Sequence, residues 1–179
     1  MTAQFYVDET KAKGYLVVAA TGAPEQLLVA RKEIGTLLLP GQRSLHMKSE
    51  QDARRKQIAA AIVGVGADLD VRAVVYDAGR AGTERERRAR CLQALVSDAA
   101  THPAASIVFD LDESLRSSDR QRLIEYTRAG QSRGRVKYSH MSRNEELLLA
   151  IPDIVAWCWA KGGLWRQRVR PMVADVQQV

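Results

Sequence analysis

The sequence predicts an α/β fold: a mixed sheet opened by an N-terminal hairpin, with helices on both faces. Three observations predict it. The chain begins with two β-type runs joined by a short turn. It continues with apolar segments whose period alternates between two and about 3.6 residues. No linker, repeat or low-complexity tract divides it. With 179 residues, 46% hydrophobic and 27% charged, the chain suits one globular domain, 1–179, with a proper core.

Each element follows from its residues. In Ala3 to Asp8, Phe5 and Val7 alternate with Tyr6 and Asp8, and Gly14 to Ala20 is a second β-type run after Lys11-Ala12-Lys13-Gly14. Pro24 suits a first helical turn, and Leu27, Ile34, Leu37 and Leu38 recur at helical spacing until Pro40-Gly41. Arg43 to Met47 reads as a short third strand, followed by a helix capped by Ser49 with Ile58, Ala61, Ile62 and Val65 on one stripe. Val71 to Asp77 is a Val-rich strand with Val71, Ala73, Val75 and Asp77 on one face. Thr83-x-x-Glu86 forms a capping box for a helix carrying Leu92, Leu95, Val96 and Ala99. Ser106 to Asp110 is a further strand, Ser118-x-x-Gln121 predicts the start of a short helix, and Arg135 to Ser139 is an edge strand. Asn144 to Lys161 is the last long helix, interrupted by Pro152 and stopped by Gly162-Gly163.

Function is read from the acids. Asp8, Asp77 and Asp110 each end an apolar strand, and strand ends are where ligand sites collect in α/β folds. Aspartate also starts turns, so a single one reads first as a cap on nearby amides; a shared site requires the strands to be neighbours. Asp153 differs, because Leu149, Ala156 and Ala160 surround it on a second apolar side of the last helix. A buried aspartate there needs an arginine, amides or a metal ion as partner. Glu9 is a weaker candidate, since strand alternation points it away from Asp8.

The formal charge is +6, gathered in three stretches. Arg80 to Arg90 holds five Arg against two Glu, Arg116 to Lys137 seven basic residues against Asp119 and Glu125, and Lys161 to Arg170 four basic residues with no acid. These are either solvated helix faces or phosphate-binding surface, so nucleic acid is the expected partner. The opening Met1-Thr2-Ala3-Gln4 is no signal peptide, and the longest apolar runs are too short to span a bilayer, so a cytoplasmic protein without membrane contact is expected. Cys91 and Cys158 lie among apolar neighbours and read as buried thiols. Trp157, Trp159 and Trp165 suit core packing, a homodimer contact or base stacking. His46, preceding a helix, is either structural or close to substrate, and His102 and His140 receive no role. Gly-x-Ser-x-Gly, His-Glu-x-x-His and Walker-type patterns are absent from the sequence.

Tyr6-Val7-Asp8-Glu9-Thr10 resembles the opening Tyr-x-Asp-Glu-Ser-Gly of a large, mainly prokaryotic family of uncharacterised domains in the ribonuclease H-like superfamily. Leu45-His46-Met47-Lys48-Ser49 is similar to that family's Leu-His-Phe-x-Lys region, Ala73 to Asp77 to its central strand, and Ile107-Val108-Phe109-Asp110 to a later strand ending in Asp. Leu148 to Ala156 is similar to its Leu-Gln-x-Ala-Asp-Leu-Val-Ala helix. The resemblance implies a ribonuclease H-like sheet whose central strand begins the chain. It also implies one or two Mg²⁺ or Mn²⁺ ions for phosphodiester hydrolysis. By motif, Asp8 would be the bridging ligand, Asp153 the ligand from the helix, and Asp77 or Asp110 the ligand from a neighbouring strand. Two departures bear on this. Thr10-Lys11 replaces Ser-Gly and reshapes the first turn, and Pro152 predicts a kink beside Asp153. With those edges altered, a non-catalytic nucleic-acid-binding or assembly domain is the alternative to a nuclease.

Overall fold

A computed structural model describes residues 2–179. The first strand, β1 (Ala3–Thr10), is buried over Phe5 to Asp8 and pairs antiparallel with β2 (Leu16–Gly22) from Gln4↔Gly22 to Thr10↔Leu16. The expected hairpin is therefore present. Gly14 in its loop has φ +138°, and a Cβ there would lie 2.9 Å from the carbonyl oxygen of Gly79, so both backbone angle and space call for glycine. Helices α1 (Pro24–Thr36) and α2 (Asp52–Leu69) precede β3 (Arg72–Asp77). Helix α3 (Glu84–Ala99) follows, its N-terminus closed by the expected Thr83–Glu86 capping box. Then come β4 (Ala105–Asp110), α4 (Glu113–Ala129) and β5 (Val136–Met141). The chain ends with α5 (Ala150–Lys161), α6 (Gly163–Val169) and β6 (Val173–Gln178).

The sheet order is β5-β4-β1-β2-β3-β6. The strand that begins the chain thus lies in the interior of the sheet, parallel to β4 on one side and antiparallel to β2 on the other. Alternate strand residues feed two separate cores. Tyr6, Val18, Val75 and Val108 pack with α1, α2 and α5 on one face; Phe5, Val7, Val17 and Ile107 pack with α3 and α4 on the other. Cys91 and Cys158 are free and buried, one in each core.

Several expectations need correction. Arg43 to Met47 forms no strand: Leu45 and Met47 are buried as anchors, and a 3₁₀ turn follows at Met47–Ser49. Helix α2 starts at Asp52 with Gln51 as its N-cap, not at Ser49. The fourth helix starts well before Ser118, because the Asp112 carboxylate accepts the Ser114 amide at 2.9 Å and caps it there. The long segment from Asn144 divides into a 3₁₀ turn, Leu147–Leu149, and α5. Pro152 falls in the first turn of α5, where its missing N–H has no intrahelical partner to lose, so it starts the helix instead of kinking it. Gly162 stops α5, yet α6 and the edge strand β6 continue beyond it.

A carboxylate cluster at the end of the central strand

Asp8 and Asp110 follow directly on paired residues of adjacent parallel strands, Val7↔Phe109, and share the face that α5 covers. α5 is apolar almost all round, with Ile151, Ile154, Val155, Ala156 and Cys158 buried, and this holds it against β1 and β2. Asp153 is in its first turn, where the positive end of the helix dipole favours a carboxylate. Three distant segments thereby deliver Asp8, Asp110 and Asp153 to one cavity of about 760 Å³. Asp8 and Asp153 are buried, and the exposed Lys11 and Lys48 line the same cavity with Trp157.

The acids are held in different ways. Asp8 Oδ1 accepts the amide of Glu9 at 2.7 Å. Both oxygens of Asp153 are occupied: Oδ2 accepts the Met47 amide at 2.9 Å, and Oδ1 lies 2.8 Å from His46 Nδ1. The stretch around His46 thus serves the site through a backbone amide and an imidazole rather than through a sheet ladder. Between the three acids lies Arg143, from the segment joining β5 to the Leu147–Leu149 turn. Its Nη2 donates to Asp110 and is 3.6 Å from Asp8 Oδ2, and its Nη1 is 3.5 Å from Asp153 Oδ1 and touches His46.

One guanidinium against three carboxylates leaves an excess of negative charge in a poorly solvated place. Burial raises the Asp8 carboxyl well above the usual carboxylate range, and repulsion from Asp153 and Asp110 adds to the effect; Arg143 and the Glu9 amide oppose it. For Arg143, burial works against the charge, but attraction to Asp8, Asp110 and Asp153 outweighs it and raises the pKa. An all-oxygen donor set carrying excess negative charge suits a hard divalent cation such as Mg²⁺ or Mn²⁺. Among the described residues no three carboxylate, imidazole or thiol groups close on one point as a finished metal cage, and Arg143 occupies the space between the acids.

The other two sequence candidates lie outside this group of acids, although Glu9 borders the same cavity. Asp77 is on β3, separated from β1 by β2 and hence about 10 Å away across the sheet. Its Oδ1 accepts the Gly79 amide at 2.8 Å and its Oδ2 faces the Gln178 amide group, so it closes a turn and steadies β6. Glu9, as alternation requires, turns to the opposite face, where its carboxylate pairs with Arg88 at 2.6 Å. Sequence reasoning missed Arg143, since nothing in Ser142-Arg143-Asn144-Glu145-Glu146 separates it from the many other arginines.

The fold, a mixed six-stranded sheet with helices on both faces, is ribonuclease H-like. Among solved structures, the chain is similar to one of the PCNA:RNase HII complex from Archaeoglobus fulgidus, with a TM-score of 0.55 over 95% of this chain and 77% of that chain at 16% identity. No protein-family model and no curated protein matches the sequence. Among the described residues no helix is long and apolar enough to cross a membrane.

Proposed function

We propose that the chain is a Mg²⁺- or Mn²⁺-dependent nuclease, a phosphodiester-cleaving enzyme with Asp8, Asp110 and Asp153 as its metal-binding and catalytic carboxylates. The observation that carries this reading is the convergence of those three acids, from β1, β4 and α5, on one cavity with a single arginine between them. A divalent ion held there would lower the pKa of an attacking water and offset the charge developing on the scissile phosphate and the leaving oxygen.

The protein's own groups have definite tasks. His46 and the Met47 amide fix both oxygens of Asp153, which makes His46 a positioning residue. The Glu9 amide engages Asp8 Oδ1 and leaves Oδ2 on the cavity side, facing Arg143. Lys11 and Lys48, exposed on the cavity wall, attract the phosphodiester backbone to the acids. Glu9 and Asp77 are not in the proposed ligand set, because Arg88 and the Gly79 turn already engage them. The solved structure of similar fold contains an RNase HII, which supports nucleic acid as the substrate class. Tyr6 to Thr10 and Leu148 to Ala156 support kinship with the Tyr-x-Asp-Glu-Ser-Gly family.

Arg143 among the acids favours a second reading, a non-catalytic nucleic-acid-binding domain in which the arginine permanently fills the cation position. Incubating the protein with single- and double-stranded DNA, RNA and an RNA–DNA hybrid, in Mg²⁺ or Mn²⁺, separates the two. The nuclease reading expects cleavage of at least one substrate and a loss of about 100-fold or more in folded Asp8→Asn and Asp153→Asn. Binding without cleavage in either metal favours the second, and cleavage that survives Asp8→Asn overturns the assignment of Asp8 as a catalytic carboxylate.

A further inference from the structure

We propose that Arg143 is a resident counter-ion that a divalent cation must displace, so that this side chain sets the metal concentration at which the carboxylate cluster fills. The inference rests on the metal-dependent reading above and adds a residue that acts before substrate arrives.

Geometry supports a seat in which Arg143 is bonded to Asp110 and held only at longer range by the other two acids. Charge-assisted N–H···O bonds run at about 2.7–2.9 Å, and two of the three carboxylate contacts of Arg143 are longer, 3.6 Å to Asp8 and 3.5 Å to Asp153. The neighbouring imidazole makes the fit worse. His46 Nδ1 touches both Arg143 Nη1 and Asp153 Oδ1. A ring nitrogen either donates or accepts, so while Arg143 is seated one of those two hydrogen bonds is forfeited.

An exit is also present. The Arg143 side chain is 25% exposed, and its segment is tied down by groups other than itself. The Glu145 carboxylate accepts the Ser142 amide at 3.1 Å and hydroxyl at 3.0 Å, and the Ser142 carbonyl accepts the Glu145 and Glu146 amides. The guanidinium can swing out while this backbone turn stays closed. Metal and guanidinium exclude each other, because both need the same oxygens of Asp8, Asp110 and Asp153. An arginine seated about nine-tenths of the time weakens apparent metal affinity about tenfold.

The test is calorimetric titration of Mn²⁺ into the full chain, comparing wild type, Arg143→Gln and Arg143→Lys, with Asp8→Asn as reference. Circular dichroism and metal-free melting temperature report folding. The expected result is Mn²⁺ binding at least about tenfold tighter in Arg143→Gln than in wild type, together with a lower metal-free melting temperature that Mn²⁺ restores. Arg143→Lys keeps the charge but loses the fork that reaches three acids, so it is expected to bind several-fold more tightly than wild type, and it decides the matter if Arg143→Gln does not fold. Wild-type affinity in both folded variants, or weaker binding in either, overturns the displacement proposal while the metal-dependent reading stands. Absence of Mn²⁺ binding in wild type and in every folded variant overturns both.

Discussion

Asp8 and Glu9 are neighbours in one strand, yet the two faces they serve are built on opposite plans. On the Glu9 face, Arg88 donates to Asp119 through Nε at 2.7 Å and Nη2 at 2.6 Å, to the Tyr15 hydroxyl at 2.8 Å, and pairs with Glu9 at 2.6 Å. His140 adds a contact to Asp119 at 3.5 Å and stacks on Phe109. The Arg88 side chain is 5% exposed and that of Asp119 1%. On the Asp8 face, Arg143 meets three acids, two of them at 3.5 Å or more, and is 25% exposed beside a cavity. The first arrangement is a closed ionic network whose use is to join α3, α4 and the sheet. The second keeps an unbalanced charge that folding alone does not require. Adjacent acids in a strand end therefore say little until the partners on each face are known.

Breaking the closed side has the largest expected effect. Arg88→Ala leaves the buried Asp119 and the partly exposed Glu9 without their cation and is expected to cost about 3–5 kcal/mol in urea denaturation; a loss below about 1 kcal/mol would show that the network is not structural. On the open side the sign differs. Asp8→Asn removes one of three mutually repelling carboxylates, so the metal-free protein is expected to keep its stability or gain up to about 1 kcal/mol. A loss above about 2 kcal/mol in the same assay would mean that Asp8 is there for folding.

The same contrast extends to pH. Although burial works against its charge, the bonds from Arg88 and His140 lower the Asp119 pKa in the fold. Its stabilisation is present above the unfolded value of about 3.9 and is lost as pH falls through the lower folded value. For Asp8, raised by burial and by its acidic neighbours, the folded form holds the proton more tightly than the unfolded chain does. Its penalty is present above the raised folded value and is relieved as pH falls through it towards about 4. Stability measured against pH without metal is expected to lose its acid-side decline in Asp119→Asn and its decline towards higher pH in Asp8→Asn. Curves unchanged from wild type would remove the electrostatic contrast between the faces. Smallest of all is Lys11→Ala, which breaks an exposed pair with Glu84, 2.6 Å apart, and is expected to shift stability by no more than about 0.5 kcal/mol.

What was legible in the sequence follows from what periodicity can carry. The hairpin, the Val-rich strand before Asp77, the Thr83 capping box and the apolar last helix are local patterns, and they led to an α/β sheet with helices on both faces. Asp8, Asp110 and Asp153 stood out because each is an acid attached to an apolar run. Asp77 looked equivalent to Asp110, since strand ends carry no record of strand order; only the insertion of β2 between β1 and β3 separates them. The start of α4 was hidden because Asp112 is as good a cap as Ser118, and β6 because Val173 to Gln178 is short and only half apolar. Arg143 and the Arg88–Asp119 pair were beyond reach, as both depend on side chains meeting across long stretches of chain. Pro152 was visible, and its effect was reversed by its place in the first turn of α5.

The nuclease proposal requires Asp8, Asp110 and Asp153 jointly to hold a divalent ion. Crystals soaked in millimolar Mn²⁺ and measured for anomalous scattering test it most directly. The expected result is a peak bounded by those three carboxylates, with the Arg143 guanidinium turned away from them. Arg143 still seated among the acids and no peak there, or a peak only at other carboxylates, would contradict it.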